Sequence, residues 1–82
     1  MTKQKFDLNI DDKIYIYEEF CNCVVEYSII EILLSREGVT YYLEAYNQNG
    51  DIINYRTCGE KLIGVSAFMS VEEAQKYQQT KA

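Results

Sequence analysis

Leu62-Ile63-Gly64-Val65-Ser66-Ala67-Phe68-Met69-Ser70-Val71-Glu72-Glu73-Ala74 is the stretch that decides the fold. A short apolar strand, Leu62 to Val65, runs into a helix start that is written out in full. Ser70 is a favoured N-cap, Glu73 three residues later completes a capping box, and Met69 with Ala74 occupies the two positions of a hydrophobic staple. The spacing predicts a helix over Val71 to Gln79, with Val71, Ala74 and Tyr77 on the buried stripe and Lys76 and Lys81 near the negative end of the dipole. Everything before this helix reads as strand, so it closes a small β domain.

Moving back along the chain, Cys58-Gly59-Glu60-Lys61 reads as a turn and Asp51 to Thr57 as the fourth strand. The third strand is Val39 to Tyr46, with Val39, Tyr41, Leu43 and Ala45 on one face. Asn49-Gly50 suggests a two-residue turn between them, which would pair Ala45 with Asn54 and Leu43 with Arg56. A three-residue loop, Gln48-Asn49-Gly50, pairs Ala45 with Ile53 and Leu43 with Tyr55; it gives the more apolar core and is the predicted register. The second strand, Val24 to Ser35, changes phase. Val25, Tyr27 and Ile29 share one face, then Ile30, Ile32 and Leu34 take over, so a bulge or bend is expected at Ser28 to Ile30. An even-numbered loop ending at Gly38 joins it to the third strand. The first strand is Lys13 to Glu18, with Ile14 and Ile16 inward. Five short or bent strands and one helix give a mainly β, α+β fold: a small SH3-like antiparallel barrel with a C-terminal helix.

The 82 residues form a single SH3-like domain, with residues 1–6 and 80–82 expected to fray. No apolar run reaches the roughly 18–20 residues of a membrane span, and no apolar segment follows the lysines at the start, so a cytoplasmic location is expected. Thirteen acidic against eight basic residues leave a net charge of −5, which repels a phosphate backbone and favours a partner with a basic surface. Direct nucleic-acid and membrane binding are not expected.

From Asp12-Lys13-Ile14-Tyr15-Ile16, through the long Cys23-to-Ile32 strand and the Glu37-Gly38-Val39-Thr40-Tyr41-Tyr42 hairpin, to Phe68-Met69-Ser70-Val71-Glu72-Glu73-Ala74, the layout is familiar. It resembles a group of small Firmicutes phage and mobile-element proteins that end in F-[LM]-[ST]-x-E-E-A. The likeness covers about residues 12–78, and Met69 stands where the group usually has leucine. The resemblance implies an SH3-like barrel and a mobile-element setting, and it brings no active site with it.

Several residues invite a chemical reading. Cys21-Asn22-Cys23 places two thiols on one side of an extended strand, and Cys58 is a candidate third metal ligand. A closed zinc site wants four ligands, usually in C-x₂₋₄-C spacing, and the chain has no histidine to help. Reduced cysteines filling small apolar gaps are the plainer expectation. No base or positive pocket stands ready to activate a thiol, since Glu18, Glu19 and Glu26 are its neighbours. Of the carboxylate pairs, Glu72-Glu73 belongs to the helix start, and Glu18-Glu19 is expected to face water at a strand end. No enzyme and no cofactor are expected.

The tyrosines are the stronger signal. With the odd positions of the third strand inward, Tyr42, Glu44 and Tyr46 point outward, and Tyr15 and Tyr17 lie opposite Ile14 and Ile16. Tyrosine adds contact area at little entropic cost, although it is also simply a good strand former. Tyr15, Tyr17, Tyr42, Glu44 and Tyr46 are therefore the candidate protein-binding residues. The leading expectation is a non-catalytic, phage- or prophage-encoded interaction module, such as an anti-CRISPR-like inhibitor of a host nucleic-acid-handling protein. An SH3-like nucleic-acid-binding or transcription-associated module is the alternative, and a homodimer through a strand edge also stays open.

Overall fold

The computed structural model describes residues 3–81. Along the chain come β1 (Lys13–Glu18), β2 (Cys23–Ser35), β3 (Gly38–Tyr46), β4 (Ile52–Gly59), a 3₁₀ turn (Glu60–Leu62), β5 (Ala67–Phe68) and α1 (Val71–Lys81). All strands join one antiparallel sheet in the order β4-β3-β2-β1-β5. This is the expected mainly β fold, five antiparallel strands and a C-terminal helix laid out broadly as a small SH3-like barrel. Its sheet stays open, because β4 and β5 are its two edges.

The alternation in β1 and β3 is realised: Ile14, Ile16, Val39, Tyr41, Leu43 and Ala45 are all buried. β2 bends where its hydrophobic phase changes. Ile29 lies opposite Leu43 and Glu31 opposite Tyr42, so Ile30 is the extra residue of a bulge. Tyr27 and Ile29 face the core before it and Ile32 packs against the core after it. Ile30 and Leu34, expected inside, are exposed: the bulge ejects the first, and the second lies at the hairpin end. Ser35 pairs with Gly38 across Arg36 and Glu37, and Gly38 takes φ of +132°, which a side chain disfavours.

The β3–β4 register differs from expectation. Leu43 faces Arg56 and Ala45 faces Asn54, with a shift only at Tyr46, which pairs with Ile52. Asn54, Arg56 and Cys58 therefore share the inner face, while Ile53 and Tyr55 are exposed. The physical reason is Glu18. Expected in water, it is buried at the end of β1, and the inward Arg56 and Asn54 complete its polar surroundings.

The fifth strand also moves. Val65 and Ser66 donate backbone hydrogen bonds to the Leu62 carbonyl at 3.0 and 3.1 Å, so Leu62 to Ser66 forms a turn instead of a strand. Gly64 sits there at φ +89°. The turn drops Ile63 and Ala67 into the core and delivers Phe68 opposite Tyr15. Ser70 caps α1: its Oγ accepts the Glu73 backbone N–H at 3.3 Å and its hydroxyl donates to the Glu73 carboxylate at 3.1 Å. Phe68, not Met69, is the buried residue at the helix entry. Ala74 is fully buried, Tyr77 meets the Phe68 ring at 5.6 Å, and Val71 stays at the exposed margin.

Phe68 shares a face with Tyr15, so α1 covers the side of β1 opposite Ile14 and Ile16. Within the ends expected to fray, Gln4 accepts the Tyr41 hydroxyl at 2.7 Å, Phe6 packs on the core, and Thr80 and Lys81 belong to α1. Residues 1, 2 and 82 lie outside the described residues. No helix among the described residues is long and apolar enough to cross a membrane.

The two faces give a direct test. Leu43→Ala should cost about 3 kcal/mol in urea denaturation through loss of burial and cavity formation, while Leu33→Ala on the opposite face should stay within about 0.5 kcal/mol. Equal effects would contradict the assignment of faces.

Candidate functional site

Two features stand out, one buried and one exposed. The buried one is a polar chain at the end of β1. The Tyr27 hydroxyl donates to the Glu18 carboxylate, Asn54 Nδ2 donates to the Tyr27 oxygen at 2.7 Å, and Arg56 reaches Glu18 at 3.1 Å. Glu18's side chain is 6% exposed and that of Arg56 45%. A carboxylate taken out of water needs such partners, and here they come from two other strands, Tyr27 from β2 and Asn54 and Arg56 from β4. Among the described residues, no buried side-chain nitrogen or oxygen is left without a partner.

Burial, followed by the hydrogen bond to Glu18, pushes the Tyr27 phenol up to about 12. Burial, followed by the charge of Glu60, raises Tyr41 to about 12 as well. The buried Cys58 thiol is likewise raised by desolvation.

The exposed feature is the outer side of β2, β3 and β4. The register places Glu26, Ser28, Glu31 and Leu33 of β2 on the same face as Thr40, Tyr42 and Glu44 of β3 and Tyr55 and Thr57 of β4. Ile30, pushed out by the bulge, joins Tyr42 and Tyr55 around a shallow depression. Tyr55 is 64% exposed, and Ile53 and Tyr46 add apolar surface beyond it. Glu26, Glu31 and Glu44 stand among these β2–β4 positions; the Lys13 ammonium donates to the buried Ser28 hydroxyl at 2.6 Å, and Arg56 borders the depression. The Tyr46 hydroxyl donates to the Glu44 carboxylate, and that bond raises its pKa.

The five candidate tyrosine and glutamate positions thus separate. Half-buried Tyr42 and Glu44 and the exposed Tyr46 lie together on this face, which no helix among the described residues covers. Tyr15 and Tyr17 are half-buried on the α1 side. Tyr15 donates to Glu26 at 3.1 Å, its pKa raised first by burial and then by that bond; Tyr17 donates to Asn22 at 2.6 Å. Ile30, Ile53 and Tyr55 were the missed members. Their signal was present in the sequence, but the β4 register sent Ile53 and Tyr55 to the wrong side.

The cysteines also depart from expectation. Cys21 and Cys23 form a disulfide across Asn22, and Cys58 is buried in the core, away from them. Among the described residues, no group of three or more histidine, cysteine, aspartate or glutamate side chains is placed to hold a metal ion. Glu72 and Glu73 are exposed in the first turn of α1, Glu73 engaged in the cap. No family model, curated protein or solved structure matches the chain.

The raised tyrosines set a pH dependence. In the folded chain Tyr27 and Tyr41 keep their protons until about 12, whereas the ordinary value is 10.0. Their stabilisation is complete below about pH 10 and is lost as pH rises towards about 12, because the unfolded chain gives up these protons first. Urea midpoints should fall over that window, less steeply in Tyr41→Phe. Midpoints that stay flat across it would contradict the burial of both phenols.

Proposed function

We propose that this chain is a non-catalytic interaction module that covers a basic surface on a partner protein with the outer face of β2–β4. The observation that carries the reading is the continuous Ile30, Tyr42, Tyr55 surface bordered by Glu31 and Glu44, with Arg56 at the edge of its depression already paired to Glu18. Aromatic residues desolvate well and provide anchors, and surrounding carboxylates steer a partner of opposite charge. The net charge of −5 acts in the same direction at longer range.

Proteins that handle nucleic acids present the basic surfaces that bind phosphate, and an anionic aromatic face competes for them. The partner proposed is therefore a nucleic-acid-handling or defence protein of the host. The resemblance of residues 12–78 to phage and mobile-element proteins supports the same class, an inhibitor that acts by occupancy. An acidic face of this kind argues against direct binding of DNA or RNA.

Affinity capture from the native host, quantified by mass spectrometry, tests this. A partner retained by the natural chain should be lost about tenfold from Tyr42→Ala/Tyr55→Ala and from Glu44→Lys, and should elute with added salt. Retention indifferent to both variants, an empty capture, or tight salt-sensitive binding of DNA or RNA in a shift assay would contradict the proposal.

A further inference from the structure

The β1–β2 turn carries a second device. Cys21 and Cys23 are bonded across a single residue, Asn22, which sits in the left-handed region at φ +49°. Asn22 is held through both side chain and backbone, and its N–H donates to the Glu19 carbonyl at 3.2 Å. Its side-chain oxygen accepts the Tyr17 hydroxyl at 2.6 Å, and its backbone carbonyl accepts Gln78 Nε2 of α1 at 2.9 Å. The turn is therefore one of the points at which the end of α1 is tied to the sheet, beside the Tyr77–Phe68 contact. Tyr17 and Phe20 on one side and Tyr77 and Lys81 on the other line a cleft of about 390 Å³ between them.

A disulfide that closes so small a ring removes little entropy from the unfolded chain, so it is a poor structural staple. Cys21 is exposed and open to attack by an external thiolate, whereas Cys58 is buried and out of reach. The opened form is also provided for. The carbonyl oxygens of Glu18 and Cys23 lie 3.8 Å from the Cys21 sulfur, so acceptors for a Cys21 thiol are close at hand.

We infer that Cys21 and Cys23 are a reversible dithiol–disulfide site whose state sets how firmly the C-terminal end of α1 is held. A thiolate of a low-molecular-weight thiol or protein dithiol attacks the Cys21 sulfur, forming a mixed disulfide, and the Cys23 thiolate leaves and takes a proton from water. A second thiol then displaces Cys21, which is protonated in turn. Two electrons and two protons pass to the protein, and the donor departs as its disulfide. With the bond open, Asn22 is released from its left-handed conformation, and its contacts with Tyr17 and Gln78 go with it.

The test equilibrates the full chain with mixtures of reduced and oxidised glutathione and counts thiols by alkylation under denaturing conditions. One thiol is expected in the oxidised form and three in the reduced form. Hydrogen exchange of the two forms should show residues 77–81 of α1 exchanging about fivefold faster after reduction, with β3 unchanged. Cys21→Ser should show the fast exchange in both mixtures. In Gln78→Leu, which removes the tie, the exchange of α1 should no longer respond to the thiol count. Three thiols at every glutathione ratio, or an α1 indifferent to a change from one thiol to three in the natural chain, would overturn the inference.

Discussion

A single carboxylate organises this domain. Glu18 ends a strand in which Ile14 and Ile16 already face inward, so the same alternation carries its charge inside. Desolvating a carboxylate costs several kcal/mol unless hydrogen bonds and a counter-charge replace the lost water. Tyr27 on β2 and Arg56 on β4 supply these, and Asn54 satisfies the Tyr27 oxygen. A slip of β4 by one residue would turn Arg56 and Asn54 to solvent and leave Glu18 facing Tyr55 and Ile53. The buried charge thus holds the edge strand in register.

That register determines the surface. With Asn54 and Arg56 turned inward, Ile53 and Tyr55 have to face out, beside Tyr42 and the ejected Ile30. The sheet's outer side then has two halves with different fates. α1 seals the half formed by β5, β1 and the start of β2 through Phe68, Ala74 and Tyr77. The half formed by β2–β4 is covered by no helix among the described residues and leaves Tyr55 and Tyr46 exposed beside the half-buried Tyr42 and Glu44. The interaction surface is in this sense a consequence of how the interior is neutralised.

Much of the architecture was legible because periodicity reports burial directly. The alternation of β1 and β3, the phase change that marks the β2 bulge, and the Ser70 cap of α1 all followed from residue order. The β4 register was not legible, because choosing the pairing with the most apolar core treats Arg56 and Asn54 as costs. They become favourable only once Glu18 is known to be inside, and that depends on contacts between strands 38 residues apart. The fifth strand was misplaced because an apolar run such as Leu62 to Val65 serves equally well in a turn that buries Ile63. Of the candidate site, Tyr42, Glu44 and Tyr46 were found. Tyr15 and Tyr17 lie on the expected face of β1, but helix packing, which strand alternation does not report, covers it. The Cys21–Cys23 bond depends on the left-handed turn at Asn22, which the spacing alone does not reveal.

Cross-strand proton–proton distances from NMR test the central claim most directly. The account predicts that Leu43 shows its cross-strand contacts to Arg56 and Ala45 to Asn54. Contacts from Leu43 to Tyr55 and from Ala45 to Ile53 would place Arg56 outside, strip Glu18 of its counter-charge and contradict the account.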